Sequence, residues 1–402
     1  MPILKDYDQF QGLHWETGSL RNYLAYKGVA APHTKQPYSE AMLLGVSGGI
    51  VMGYFTFNYE GLDPTVRILT RNTFNPLETI YERLDIKTTV IQTAKPDKGV
   101  ENLLAVLESG SPAIVVADMF SLPYNVLDSD EGMWAMLPIL VYGYEQDLNK
   151  VWIADRSERQ LSVTTDELAS ARGRTKKNKF RLFVHEPPNP DNLVQAVMDG
   201  IQDCVNNFTQ PPPKGSKNNF GFLAYQKWID LLLKPQQRNS WHKDFAPGSR
   251  MYAGLISAFE DICIFGKNGG AERTLYAQFL DEASILVSKP VLKEIAQQFK
   301  ESADAWDALA ASLLPDEVPL FKETRNLILK KHQLFLKQGS PALEEMLTIK
   351  ERLTALRKLV GEDFPLDNSQ AEELRIEIAN HVKVIKEIEF KAIEELKHTI
   401  SS

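Results

Sequence analysis

Residues 12–28 read GLHWETGSLRNYLAYKG and carry a short helical pattern near the start of the chain. A residue able to cap a helix, Thr17 or Ser19, precedes regularly spaced apolar residues, and Gly28 stands at the far end. The pattern predicts a helix over 17–26. Its apolar side is expected to consist of Leu20, Tyr23 and Leu24.

Short β-rich runs follow between residues 113 and 154. Ala113–Ala117 is one such run, and Ile139–Tyr142 and Val151–Ala154 flank a polar stretch at 143–149. Two β-rich runs joined by a polar turn are typical of an antiparallel hairpin. The N-terminal part is therefore predicted to be α+β, with a small antiparallel sheet.

Prolines at positions 187, 188 and 190 predict a domain boundary, because each removes a backbone donor and disfavours helix in the residue before it. Strand patterns disappear after this point, and helical patterns such as Leu193–Val205 take over. The composition changes again near residue 315, where Leu, Ile, Glu and Lys dominate. The expected domains are 1–186, 187–314 and 315–402.

Two apolar stripes in the last domain repeat at steps of three and four, which is typical of helices with one buried face. Gly361–Pro365 lies between the stripes and supplies a chain reversal, so an antiparallel helical hairpin is predicted. Such a hairpin serves either as a dimerisation or partner-docking arm, or packs on its own domain. The stripes are Met346, Ile349, Leu353, Leu356 and Val360, then Leu374, Ile378, Val382, Ile385 and Ile388.

Composition excludes several classes of protein. The 402 residues include 45 Lys and Arg against 53 Asp and Glu, and this net charge of −8 argues against a nucleic-acid partner. No run of 18 apolar residues appears, so no membrane association is expected. Two distant cysteines, Cys204 and Cys263, cannot form a disulfide framework, which favours a reducing, cytoplasmic compartment.

Common cofactor and nucleophile motifs are not found. Gly45–Gly53 matches neither the dinucleotide fingerprint nor the P-loop, and its glycines are better explained by close backbone approach. The seven histidines show no zinc-protease spacing, and no Gly-x-Ser-x-Gly elbow is present. Neither a metal nor a cofactor is therefore predicted.

Three segments together carry a family resemblance. Gly12–Gly28, Tyr38–Gly49 and the stretch from Ser111 to Arg156 resemble the N-terminal domain of the butirosin biosynthesis protein H family. Gly269–Ala283 is similar to the uncharacterised helical domain that usually follows it. The resemblance covers roughly residues 10–310 and spans two domains in the expected order.

The resemblance implies a papain-like fold and acyl transfer. In such a site, a cysteine at the start of a helix is acylated by a carrier-protein thioester, and an amine or hydroxyl then attacks. The helix dipole and free amides lower the pKa of the thiol. A histidine on a central strand serves as base, and an aspartate on the next strand orients it.

This chain departs from that pattern at two positions. Trp15 stands where the family has its cysteine, and no histidine occurs near 137–139, where the base is expected. Neither remaining cysteine lies where it could replace the nucleophile. Asp155 matches the orienting aspartate, and Gln9 matches the glutamine of the oxyanion hole.

Catalytic roles are predicted for His14, Glu16 and Asp155. His14 and Glu16 flank the lost nucleophile and could act as general acid and base. The alternatives are a packed or capping histidine, a glutamate that complements the helix dipole, and an aspartate that caps a turn. The resemblance also implies a substrate-binding shell, formed by Gln9, Trp15, Thr17, Ser39, Glu40 and Tyr142.

Three functions remain open at this point. The first is a divergent acyltransferase-like enzyme of specialised metabolism. It transfers an acyl group from an acyl carrier protein or another acyl thioester to a small-molecule acceptor. The second is a catalytically inactive pseudoenzyme that acts as a binding module or partner subunit. The third is a non-covalent cyclisation or hydrolysis in the same cleft. The C-terminal helices also suggest a homodimer.

Overall fold

The computed structural model describes residues 2–127, 133–211, 214–266 and 269–401. The chain divides into two compact units, each assembled from three separate segments. The first unit comprises Met1–Leu43, Pro76–Leu193 and Lys330–Lys350. The second unit comprises Leu44–Asn75, Val194–Leu329 and Glu351–Ser402.

Both strands and helices occur over the first 185 residues, in agreement with the α+β prediction. The strands are β1 Ile50–Phe57, β2 Thr65–Arg71, β3 Thr88–Ile91, β4 Ala113–Asp118, β5 Met136–Glu145, β6 Lys150–Ala154, β7 Leu161–Val163 and β8 Leu182–His185. The helices are α1 Trp15–Tyr26, α2 Glu40–Val46, α3 Pro76–Arg83, α4 Pro96–Glu108 and α5 Thr165–Gly173.

Six strands of the first unit form one antiparallel sheet with the order β3-β8-β4-β5-β6-β7. All six residues of β4 are buried, so this strand lies in the core. The predicted hairpin is present as β5 and β6, in which Leu140 pairs with Ala154. β1 and β2 form a separate antiparallel pair in the second unit.

Helix α1 packs on β5, and Ser19 Oγ donates a hydrogen bond to the carbonyl of Pro138 at 3.3 Å. The helix begins two residues before the predicted start, and the predicted cap is wrong: Thr17 and Ser19 lie inside the helix, whose N-cap is His14. Glycine is required at Gly12 and Gly18, because a Cβ on Gly12 would lie 2.6 Å from the Gly18 carbonyl oxygen. This close approach brings the segment before α1 against its first turn. The predicted apolar side is buried at Leu20, Tyr23 and Leu24.

Every described element after residue 187 is helical, as predicted. The α-helices are α6 Leu193–Thr209, α7 Gly221–Leu233, α8 Trp241–Asp244, α9 Ser249–Glu260, α10 Arg273–Leu286, α11 Val291–Leu313, α12 Pro319–Gln338, α13 Leu343–Glu362 and α14 Asn368–Ser401. A π-helical turn, Asp261–Phe265, continues α9. The region thus ends in a helix of 34 residues.

Helix α14 packs chiefly along α11 and α7 of the second unit. Its predicted apolar stripe is buried at Leu374, Ile378, Val382 and Ile385. Burial of this face stabilises the long helix, since helices gain most of their stability from packing. Among the residues described, no helix is long and apolar enough to cross a membrane.

Candidate functional site

The carboxylate of Glu40 lies at the N-terminus of α1. Its oxygens accept hydrogen bonds from the backbone N–H of Leu13 at 2.5 Å and of His14 at 2.9 Å. The Thr17 hydroxyl donates to the same carboxylate at 2.7 Å, and His14 Nδ1 lies 3.0 Å from Oε1. A negative charge is favourable here, because the first amides of a helix lack intrahelical partners.

The protonation of this cluster follows from its hydrogen bonds. Burial raises the pKa of the Glu40 carboxyl, but hydrogen bonds from His14, Thr17 and Leu13 outweigh burial, so its pKa lies below the usual range. Since an ionised carboxylate can only accept hydrogen bonds, the nitrogen facing it, His14 Nδ1, carries a proton. The His14 ring is therefore fixed in orientation, and it is 2 % exposed.

Trp15, the first residue of α1, lies beneath a guanidinium. The Cζ atom of Arg156 is 4.0 Å from the centre of the Trp15 ring, and it is 5.1 Å from the centre of the Phe335 ring. Both distances are within the range of cation–π attraction. Trp15 is only 6 % exposed, so the indole at the expected nucleophile position is covered.

Asp155 holds that guanidinium in place. Arg156 Nε and Nη2 each donate to one Asp155 oxygen at 2.9 Å, which makes a bidentate pair. The Tyr124 hydroxyl donates to Asp155 at 3.1 Å, and Arg156 Nη2 also donates to Asn125 Oδ1 at 2.5 Å. Burial, reinforced by the Asp155 charge, raises the pKa of Tyr124 well above its ordinary value.

Asp155 therefore orients an arginine. In the β5–β6 register, Leu140 pairs with Ala154, and extending that register by one residue sets Ile139 opposite Asp155. An aliphatic side chain thus stands near the point where the family resemblance implies a histidine. The arrangement leaves Asp155 bound to its own neighbour in the chain.

The other predicted site residues lie in different surroundings. Gln9 donates to Asp8 at 2.5 Å and accepts from Arg21 at 3.5 Å. Ser39 Oγ accepts from Met42 N–H at 2.9 Å at the start of α2. Tyr142 stacks on Tyr7 with ring centres 4.3 Å apart, and burial raises its pKa to about 12. Glu16 lies half-buried in the first turn of α1.

The structure thus forms two groups from the predicted residues. One joins His14, Thr17 and Glu40, and the other joins Trp15 and Asp155 through Arg156. No sequence motif predicts a role for Arg156, although its place beside Asp155 is a usable signal. Phe335 lies 179 residues further along the chain from Arg156, and no motif marks it.

Within the described ranges, no group of three or more His, Cys, Asp or Glu side chains is arranged to hold a metal ion.

The fold and this site define a class of protein: an α+β domain followed by a helical region. In this class, a covered tryptophan begins the helix that packs on the sheet. The family described as "Butirosin biosynthesis protein H, N-terminal" matches residues 14–156. "Domain of unknown function (DUF4872)" matches residues 166–318. The chain therefore carries a domain of the butirosin biosynthesis protein H N-terminal family, followed by this second domain. A comparison with curated proteins gives no match.

Proposed function

We propose that this protein is a non-catalytic member of its family, which binds an acyl thioester in a biosynthetic pathway without forming an acyl-enzyme. The observation that carries the proposal is the Arg156 guanidinium, 4.0 Å from the Trp15 ring and held by Asp155. An indole carbon or nitrogen does not form a thioester with an acyl group. The chain then serves as a binding module or as the partner of an active subunit.

The Asp155–Arg156 ion pair near Trp15 and the state of the two native thiols also support this proposal. The Asp155 carboxylate pairs with Arg156, so it does not orient a base. The two native thiols offer no substitute, because burial raises the pKa of Cys204 and of Cys263 to about 12 each. A papain-like ancestry of the fold is part of the same proposal.

A second candidate, a divergent acyltransferase, is favoured by the His14–Glu40 pair. The charged carboxylate accepts a hydrogen bond from Nδ1, so Nε2 is the ring nitrogen that would accept a proton. In such a reaction, His14 would take a proton from an acceptor amine whose nitrogen attacks the thioester carbonyl. The carbon–sulfur bond then breaks, and the leaving thiolate takes the proton back from His14. Glu16 would assist as the second acid–base group.

The experiment uses butyryl-pantetheine as acyl donor and a primary amine as acceptor, with the full chain and its variants. Binding is measured by calorimetry, and acyl-enzyme and amide are measured by mass spectrometry. We expect wild type to bind the thioester with neither product. Trp15→Cys should gain one butyryl group, because a thiol at a helix N-terminus exchanges with thioesters. Trp15→Ala is the matched control without a thiol.

Two results would contradict the proposal. Amide formed by wild type and lost in His14→Ala would establish the acyltransferase instead. Absence of binding in wild type and in all variants would exclude a thioester ligand altogether. An acyl carrier protein loaded with the same group extends the experiment to a protein partner.

The homodimer through the C-terminal helices is a separate part of the proposal. The exposed face of α14 includes Ile376, Val384 and Phe390, which are 43 %, 49 % and 52 % exposed. Light scattering of the full chain measures the oligomeric state directly. A dimer that Val384→Glu converts to a monomer would support this surface, and a monomeric wild type would exclude it.

A further inference from the structure

The C-terminal end of α12 lies on the loop that follows β6. Ser157 Oγ donates to the carbonyl of Phe335 at 2.9 Å, and Glu158 N–H donates to the carbonyl of Leu336 at 2.9 Å. Further along, Ser162 N–H donates to Ser340 Oγ at 2.9 Å. All of these residues belong to the first unit. The contacts tie residues 335–340 to residues 155–162, which comprise the loop after β6 and the start of β7.

These hydrogen bonds supply donors to backbone carbonyls at the C-terminal end of α12. The last four carbonyls of an α-helix have no intrahelical partner, and α12 ends at Gln338. Glu158 supplies a donor to the Leu336 carbonyl, and Arg159 Nε donates to the carbonyl of Lys337 at 3.3 Å. Ser157 adds a second donor to the Phe335 carbonyl, which also accepts from Gly339 N–H at 3.2 Å. The partial negative charge of this helix end also favours a neighbouring guanidinium. The loop and α12 therefore stabilise each other.

The same end of α12 reaches the covered tryptophan through one side chain. Phe335 is 7 % exposed and contacts the guanidinium of Arg156, which in turn covers Trp15. A run of contacts thus leads from α12 through Arg156 to the first residue of α1. Both family matches end before α12, the second of them at residue 318. The side chains that cover Trp15 therefore include one, Phe335, from outside both matched domains.

We infer that residues 335–340, which we name the cap, close the site at Trp15, and that release of the cap opens it to a ligand. The cap holds Arg156 over the indole through the Phe335 ring and holds the loop through the α12 carbonyls. Access to the site is then controlled by the C-terminal region. The ligand part of this inference rests on the proposed function, whereas the coupling between the cap and α1 does not.

Hydrogen exchange of the full chain, read by mass spectrometry, tests the coupling. Phe335→Leu removes the ring beside Arg156 and keeps an apolar side chain. We expect amide exchange in 14–18 and 156–162 to become about 2- to 30-fold faster, the range that loss of one cation–π contact allows. The matched control is Phe321→Leu, a buried phenylalanine of the same helix that packs on Tyr252 in the second unit. It should leave both segments unchanged.

A second variant tests the hydrogen bonds of the cap. Ser157→Ala removes the hydroxyl that donates to the Phe335 carbonyl and should also speed exchange in 14–18. Ser109→Ala is the control. It removes a comparable hydroxyl, which donates to the carbonyl of Val106 at the end of α4, and it should leave exchange in 14–18 unchanged. Equal exchange at 14–18 in Phe335→Leu and Phe321→Leu would overturn the inference.

Binding of butyryl-pantetheine separates this inference from the proposed function. Tighter binding by Phe335→Leu than by wild type supports both. Faster exchange without binding in any variant leaves the cap established and removes the thioester proposal. Equal affinity of wild type and Phe335→Leu, despite faster exchange, would overturn control of access by the cap.

Discussion

Arg156 is the residue on which the candidate site depends. Its guanidinium pairs with Asp155 and covers Trp15, and its backbone adopts a left-handed conformation with φ of +49°. A residue other than glycine in this region carries backbone strain, which the side-chain contacts offset. The side-chain contacts of Arg156 therefore hold its backbone in a conformation that is otherwise unfavourable.

Arg156→Ala should lower the free energy of unfolding by about 3–5 kcal/mol, because it leaves the buried Asp155 carboxylate without its cation. Arg156→Lys should recover only part of the loss, since an ammonium cannot replace the bidentate fork. Urea unfolding measures the difference. Arg238→Ala, at an exposed arginine, is the control, and equal losses in the two alanine variants would contradict the assignment.

Glu40→Gln tests the cluster at the start of α1. We expect a loss of about 1–3 kcal/mol near neutral pH, because the amide cannot satisfy every donor that the carboxylate now accepts. The pKa of Glu40 is lowered in the folded state, so its stabilisation is present above the unfolded pKa and is lost as pH falls through the folded pKa. The difference between wild type and Glu40→Gln in unfolding free energy should therefore shrink below about pH 4. A difference that is constant with pH would refute the assignment.

At the scale of elements, the π-helical turn after α9 holds a buried carboxyl group. Asp261 accepts from the N–H of Ile68 at 2.7 Å and from Arg67 at 3.1 Å. Burial raises its pKa to about 7, and Arg67 reduces that rise. The folded state therefore holds a proton that the unfolded state releases. Single π-turns of this kind often occur at functional sites.

Asp261→Asn should change how stability depends on pH. In wild type, this group lowers the unfolding free energy as pH rises from about 4 to about 7, by roughly 1.4 kcal/mol per pH unit. The variant lacks this slope, which denaturant unfolding at several pH values measures. An unchanged slope would show that Asp261 titrates normally.

The buried His185 changes the unfolding free energy with pH in the opposite direction to Asp261. Burial lowers its pKa to about 3, so this group stabilises the fold more as pH rises from about 3 to about 6.5. His185→Gln should therefore shift the pH slope in the direction opposite to Asp261→Asn. The two residues lie in different units, so their contributions to the pH slope should add.

The elements differ in how far the sequence predicts them. Local patterns anticipated α1 and the β5–β6 hairpin, because the spacing of apolar residues and β-rich runs act over a few residues. They placed the cap of α1 wrongly at Thr17 or Ser19, since the N-cap is His14. They did not anticipate β1, since the glycine-rich stretch at 45–53 gives no alternating pattern. The contacts of Arg156 with Phe335 depend on packing between distant segments, which periodicity does not record. The contiguous domains 1–186, 187–314 and 315–402 stay a prediction.

At the scale of the whole molecule, a buried ion pair fixes α14 in the second unit. Glu389 accepts from Arg273 Nε and from the hydroxyls of Tyr225 and Ser302, each at 2.7 Å, and from Trp306 Nε1 at 3.0 Å. Both charged groups are fully buried. The last helix is therefore joined to α7, α10 and α11 by one carboxylate.

Glu389→Ala should lower the free energy of unfolding by about 3–5 kcal/mol, because Arg273 then keeps a buried charge without a counterion. Glu387→Ala, two residues away on the exposed face of α14, should change it by less than about 0.5 kcal/mol. Thermal and urea unfolding measure both. Similar losses in the two variants would contradict a special role for the buried pair.

The order of segments along the chain has a consequence for recombination. Because each unit consists of three segments that alternate in sequence, the polypeptide passes from one unit to the other five times. A gene fragment that encodes either matched family domain alone would separate strands and helices from their packing partners. Exchange of domains between relatives as independent cassettes is therefore disfavoured, and the two domains and the C-terminal helices are expected to be inherited together.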